Sequence, residues 1–260
     1  MSVVYLYGFV PPSPGLPEDG LLGVGDAVVE LVDLDGFAAA VGRLDTAAYG
    51  EQALEERTSD MEWMAEQGLR HEQVVAWFVD HAAIVPSRLL TLFSSDAALR
   101  DMVAGREQRI ASELRRFAAA REWDLKVGYD PLRLGKRLGE ISEEVADLDA
   151  EITRATPGKR FLLERKRKDL ARTESRTAAR RSASDLLESL REKVEDVSLL
   201  PLPEQGTPVV LNAALLVSRE REQEVRADVS QREARLADLG FTVSFTGPWA
   251  PYRFVEADDD

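Results

Sequence analysis

Apolar positions along this chain follow two rhythms, and the places where one gives way to the other outline its organisation. Val3 to Val10 is an unbroken run of β-branched, aromatic and aliphatic residues closed by Pro11, Pro12 and Pro14, which predicts a buried strand. Ala27 to Val32 predicts a second strand and Phe37 to Leu44 a third, with the turn residues Asp33-Leu34-Asp35-Gly36 making the two a hairpin. From Met61 the period changes. Met64, Gly68, His71, Val75, Phe78 and Ala82 recur in steps of three and four, the stripe of an amphipathic helix that Ser59 or Asp60 can cap. Ala83 to Phe93 returns to strand character, and Asp96 to Arg121 is helical with Leu99, Met102, Val103, Ile110, Leu114 and Phe117 inward.

At Trp123 a period-two segment begins, and from there to Gly247 the chain spells strand, helical region, strand, strand, helix, strand, a ferredoxin-like order. Leu134, Leu138, Ile141, Val145, Leu148 and Ile152 form a heptad-spaced seam on an acidic helix that stops at Thr156-Pro157-Gly158. A basic helix from Lys159 to Glu195 follows, about 55 Å long at about 1.5 Å per residue, more than a compact domain needs. An antiparallel hairpin with the acidic helix sets opposite charges side by side. The strands Val197 to Leu202 and Pro208 to Val217, the helix Arg219 to Leu239 and the strand Phe241 to Thr246 complete the series. The pattern predicts an α+β chain of two domains, 1–122 and 123–247, with a long charged helical hairpin at about 134–195 inserted in the second. The tail 248–260 docks back on the first through Trp249, Pro251 and Tyr252.

Charge and composition narrow what such a chain does. It carries 47 acidic and 33 basic residues among 260, a net charge of -14, which disfavours nucleic acid and anionic membranes as partners. The mean hides a polarity: Arg154 to Arg181 holds eleven basic against three acidic residues, +8, and the remainder carries -22. There is no Cys, so disulfides, thiolate metal sites and thiol catalysis are excluded, and a reducing cytoplasm is the expected compartment. Met1 to Val10 lacks a basic leader region, and the most apolar stretch, Val209 to Val217, is far short of the ~20 residues that span a bilayer.

Chemistry is sparse. His71-Glu72 opens like a zinc-protease motif, but Val75 stands where the second ligand belongs, and His71 and His81 are about 15 Å apart along one helix. His71 lies on the apolar stripe, which makes it a core or interface residue. Gly23-Val24-Gly25 has Val28 in place of the third glycine of a dinucleotide loop and reads as a turn. No phosphate-binding loop, nucleophile elbow or assignable pair of carboxylates is present, so no catalytic residue, metal or cofactor is expected.

Tyr5-Leu6-Tyr7-Gly8, His71 with Val74, Pro86-Ser87-Arg88-Leu89-Leu90-Thr91-Leu92-Phe93, Trp123 with Lys126-Val127, Pro157-Gly158-Lys159 and Gly247-Pro248-Trp249-Ala250-Pro251-Tyr252 together resemble the gas vesicle protein F/L family, over nearly the whole chain. The ending differs from the family's GPWPPYxFV-like segment only at Ala250. Leu90 stands where the family often has glycine, so no left-handed backbone is expected there. The resemblance implies a non-enzymatic accessory protein for gas vesicle assembly, cytoplasmic and vesicle-associated. It would bind the hydrophobic shell protein and other accessory proteins and aid nucleation or act as a chaperone. Tyr5, Tyr7, His71, Pro86, Arg88, Thr91, Trp249, Pro251 and Tyr252 are the expected partner-binding or interface residues. A cytosolic scaffold that dimerises through the Leu134 to Glu195 region is the alternative reading.

Overall fold

The computed structural model describes residues 2–255. The chain divides into two compact units, residues 1–121 with 248–260, and residues 122–247. Each unit carries one β-sheet with helices.

In the first unit β1 (Ser2–Val10) is central, because every residue from Val4 to Val10 is buried and a strand buried on both faces has no use for polar alternation. It pairs antiparallel with β3 (Ala38–Asp45), which pairs with β2 (Glu30–Asp33). The β2–β3 hairpin closes through Asp35 and Gly36, with φ of 57° and 102°, the positive pair that a tight hairpin turn demands. β1 also carries a bulge: two steps, Leu6 to Gly8, face the single step Val41 to Ala40 of β3. The extra residue is Tyr7.

On the other edge of β1 the expected continuous strand from Ala83 to Phe93 is instead two pieces, β4 (Val85–Pro86) and β5 (Leu92–Phe93). Between them Leu90 has a φ of +62°, contrary to the sequence expectation for a branched side chain at that position. The peptide is held there by contact, since Leu90 N–H donates to the Tyr5 hydroxyl at 3.2 Å. Ser87 N–H donates to Tyr7 O and Leu6 N–H to Thr91 O on either side.

Two short helices absent from the sequence reading, α1 (Thr46–Tyr49) and α2 (Glu51–Arg57), follow β3. The amphipathic helix is α3 (Met61–His81), capped by Asp60, whose carboxylate accepts from Glu62 and Trp63 N–H. It buries Gln67, His71, Val74, Val75, Phe78 and Val79. The single helix expected over 96–121 is broken into α4 (Asp96–Val103) and α5 (Glu107–Ala119), because Gly105 takes a φ of +82°. Arg43 of β3 fixes the start of α4 by gripping both carboxylate oxygens of Asp96, at 2.5 and 2.9 Å.

The second sheet runs β7-β8-β6-β9, formed by β6 (Ala120–Tyr129), β7 (Asp196–Leu199), β8 (Val209–Ser218) and β9 (Phe241–Trp249). Alternate residues of β6 (Trp123, Leu125, Val127, Tyr129) and β8 (Leu211, Ala213, Leu215, Val217) share one core, the period-two pattern made physical. The expected acidic helix is interrupted: α6 (Pro131–Arg137) passes through a tight turn at Leu138–Glu140 before α7 (Glu143–Arg154). The basic helix is continuous as α8 (Pro157–Arg191), and α9 (Glu222–Ala237) returns the chain to β9. The seam residues Leu134, Leu138 and Val145 belong to the same core as Ala178, Ala183, Leu186 and Leu190 of α8.

The expected ladder of opposite charges between α7 and α8 is thin. Glu151 meets Lys159 and Asp149 meets Arg167, each at 2.7 Å, an antiparallel pattern. Arg165, Lys168, Arg172, Arg176, Arg180 and Arg181 make no ion pair among the described residues. Arg167 does far more than neutralise Asp149. Its guanidinium also donates to the carbonyls of Gly135 at 2.7 Å and Lys136 at 3.2 Å, closing the last turn of α6.

Candidate functional site

The residues singled out in the sequence converge in the first unit around the face of β1 that meets α3. Tyr5 and Tyr7 are two positions apart on one strand, so their rings lie together, with centroids at 4.9 Å. His71, projecting from α3, packs against both, 5.8 Å from Tyr5 and 5.7 Å from Tyr7. All three are essentially without solvent exposure.

Hydrogen bonding gives this cluster a direction. Leu90 N–H donates to the Tyr5 oxygen, which leaves the Tyr5 proton for His71 Nδ1 at 2.8 Å. Tyr252 donates to Glu72 Oε1 at 2.8 Å, so its oxygen accepts from His71 Nε2, 3.0 Å away. A donor at Nδ1 and an acceptor at Nε2 assign His71 the neutral tautomer with its proton on Nε2. Tyr7 stands beside this chain and accepts from Val24 N–H at 2.8 Å. That approach requires glycine at 23, where a Cβ would lie 2.1 Å from the Tyr7 oxygen.

Burial sets the protonation states. It lowers the His71 pKa to about 4 and raises that of Tyr7 to about 12, and it raises Tyr5 as well, against the opposing hydrogen bond from Leu90. At neutral pH the cluster is therefore phenol, imidazole and phenol, without net charge. Both imidazole nitrogens are engaged by tyrosine hydroxyls, which leaves neither available as a metal ligand or as a base toward a substrate. His81 is occupied in another way, with Nδ1 2.7 Å from Trp77 O and its ring stacked on Trp77.

The remaining sequence-selected residues fall in two groups. Pro86 is buried on β4 opposite Gly8, a contact so close that a Cβ at 8 would lie 2.5 Å from Val85 O. Arg88 is exposed, and its carbonyl accepts from Thr91 N–H and Oγ1. In the tail, Ala250, Pro251 and Phe254 are buried and Tyr252 half-buried, whereas Trp249 is 49% exposed. The expectation that Trp249 is a docking anchor is corrected: Ala250, small enough to enter the core of Tyr5, Tyr7, Val75 and Phe78, takes that place. Sequence reasoning missed Glu72 and Leu90, which terminate the hydrogen-bond chain at its two ends.

Beside Pro86–Thr91 the first unit holds a cavity of about 420 Å³. Leu6, Phe9, Val85, Met102 and Ile110 supply its apolar lining, and Arg88 and Arg106 stand among its polar residues. Among the described residues no helix is long and apolar enough to cross a membrane.

Comparison with known proteins covers nearly the whole chain. A family model described as gas vesicle synthesis protein GvpL/GvpF matches residues 3–256. Gas vesicle protein L of Streptomyces sp. (strain CB03234) is 26% identical over 96% of this chain and 92% of its own length. Gas vesicle protein L2 of Halobacterium salinarum is 30% identical over 90% and 83%. Gas vesicle protein F of the same Streptomyces strain is 27% identical over 97% and 99%. The crystal structure of GvpF from Anabaena sp. PCC7120 superposes with a TM-score of 0.71 at 18% identity, covering 99% of this chain and all of that one. GvpF from Microcystis aeruginosa gives 0.65 at 15%, with the same coverage. At these identities the solved structures are similar to this chain in fold.

Proposed function

The chain belongs to the GvpL/GvpF family of gas vesicle synthesis proteins, and from that premise we propose that it is a non-enzymatic accessory in vesicle assembly that binds the hydrophobic shell protein and keeps it soluble until it joins the wall. The observation that carries this reading is the cavity of about 420 Å³ beside Pro86–Thr91, in which apolar side chains stand beside charged ones and which lies next to the exposed Arg88. A shell segment would place an apolar side chain against Phe9, Val85 and Met102 while Arg88 holds a carboxylate or a carbonyl at the rim. The net charge of -14 keeps such a complex dispersed, and binding of the monomer withdraws it from aggregation by mass action.

In this reading the contact is carried by Arg88 and Thr91, with Pro86 shaping the cavity. Tyr5, Tyr7 and His71 act from below by fixing the 86–91 segment, and Pro251 and Tyr252 clamp the cluster from the tail. Residues 1–122 form the binding domain and 123–247 a ferredoxin-like domain. The protein works in the cytoplasm at growing vesicles with other accessory proteins. The scaffold alternative is weakened by the burial of Leu134, Leu138, Val145 and Leu148, since a dimer seam there must be free to meet its partner.

The experiment is capture of purified shell protein by the full chain and by Arg88→Glu and Met102→Arg variants, with folding checked by circular dichroism. Capture by the parent and loss of capture with either folded variant support the reading. Equal capture by all three moves the contact elsewhere. No capture by the parent, under conditions where another vesicle accessory protein retains the shell protein, refutes the chaperone role.

A further inference from the structure

The first half of α8 is unusual for a helix of a folded unit. None of its residues from Pro157 to Glu174 is buried; burial begins at Ser175. α7 covers one side, yet Phe161 remains 68% exposed and Leu162 66%, and Leu132 at the start of α6 is 79% exposed. Between α6 and α8 lies a groove of about 450 Å³, lined by Tyr129, Pro131, Leu132 and Ala171 and flanked by Lys168 and Arg172. Arg167 makes the groove a rigid feature, because its hydrogen bonds to Gly135 O and Lys136 O fix α6 against α8.

Positions 161, 165, 168 and 172 recur in steps of four, three and four, so Phe161, Arg165, Lys168 and Arg172 line one face of α8. That face offers apolar contact at both ends, Phe161 and the groove at Ala171, about 15 Å apart along the axis. Cations stand between them with no ion pair among the described residues.

We propose that this face of α8, from Phe161 to Arg172, is a docking surface for an acidic amphipathic helix of a partner protein. Apolar side chains about ten residues apart on that helix would meet Phe161 at one end and the groove at the other. Charge selects the partner and its position: the segment 154–181 carries +8 and the rest of the chain -22, so an acidic helix is attracted here and repelled elsewhere. Nucleic acid is the poorer occupant. A phosphate backbone has nothing to bury against Leu132 and Ala171, and Phe161 is the lone aromatic residue on α8, where a single-strand surface needs a series. The surface lies in the second unit and is independent of the proposed shell-protein contact in the first.

The test uses the full chain and a fluorescently labelled helical peptide of about 18 residues, with leucine along one face and glutamate elsewhere, followed by anisotropy at low salt and at about 150 mM salt. Binding is expected at both. Leu132→Ser and Phe161→Ser should each weaken it about tenfold, and both sites are exposed enough that folding is undisturbed. Lys168→Glu combined with Arg172→Glu should weaken it further at low salt than at high. A peptide of equal charge with serine replacing leucine should bind about tenfold less tightly. Equal binding of the serine peptide, no effect of the two apolar substitutions, or displacement of the peptide by a shorter single-stranded oligonucleotide would overturn the proposal.

Discussion

His71 Nε2 lies 3.0 Å from the hydroxyl of Tyr252, a residue 181 positions later in the chain. The same hydroxyl donates to Glu72, so one phenol from the tail satisfies two neighbouring residues of α3. Replacing Tyr252 by Phe keeps the ring and leaves the buried imidazole N–H without its acceptor. A loss of about 1–3 kcal/mol in urea unfolding is expected, the cost of an orphaned buried donor. Trp249→Ala, at a half-exposed position, should cost clearly less in the same titration.

The buried imidazole also makes stability depend on pH. His71 is held at about 4 in the folded chain against an ordinary value of 6.5, so between these limits the unfolded chain binds the proton and the folded one does not. Its contribution is complete above pH 6.5 and is lost as pH falls toward 4, by on the order of 3 kcal/mol in total. His71→Gln removes this term. The stability gap between parent and variant should narrow steadily from pH 7 to pH 4; a constant gap would show that His71 titrates normally.

Leu90 offers a test of backbone strain. A left-handed conformation costs a leucine about 1–2 kcal/mol, which glycine would recover while giving up a half-buried side chain of similar worth. Leu90→Gly should therefore stay within about 1 kcal/mol of the parent. Leu90→Ile, β-branched at a positive φ, should lose roughly 2 kcal/mol or more, whereas the same exchange at an ordinary site usually costs less than about 1.5 kcal/mol. Similar losses for the two variants would argue that packing, not the backbone, governs the position.

Arg167→Lys preserves the charge and discards the fork. Because the guanidinium reaches Asp149 and two carbonyls at once, about 2 kcal/mol should be lost, and most of it should persist in high salt, since bonds to carbonyls are not screened ion pairs. Lys159→Ala breaks an exposed pair with Glu151 and should have an effect that salt abolishes. Thermal melts at low and high salt distinguish the two.

Much of the fold is legible where one period persists: β1 as an apolar run, α3 as a stripe of three and four, the hairpin at Asp35-Gly36, the uninterrupted α8. Legibility ends where tertiary contact decides. Leu90 takes a glycine-like conformation because Tyr5 binds its peptide, and no local pattern announces a hydroxyl arriving from 85 residues away. Arg165, Lys166, Arg167 and Lys168 are equivalent as a sequence, yet only the angular phase of 167 brings it between α6 and α7. The tail shows the same limit. Trp249 has the size of an anchor and Ala250 does not, but the strand delivers Ala250 to the core and leaves its neighbour outside.

The first unit is assembled from two stretches of chain, 1–121 and 248 onward, with the whole of 122–247 between them. This imposes a schedule on biosynthesis. At about 5–20 residues per second, the ribosome spends roughly 6–25 s making the intervening stretch before Tyr252 exists. Throughout that interval His71 lacks its acceptor, and the core around Tyr5, Tyr7 and Phe78 lacks Ala250. The first unit is thus finished only after the second, and a stalled or truncated nascent chain would present that uncovered face to whatever apolar segments surround it.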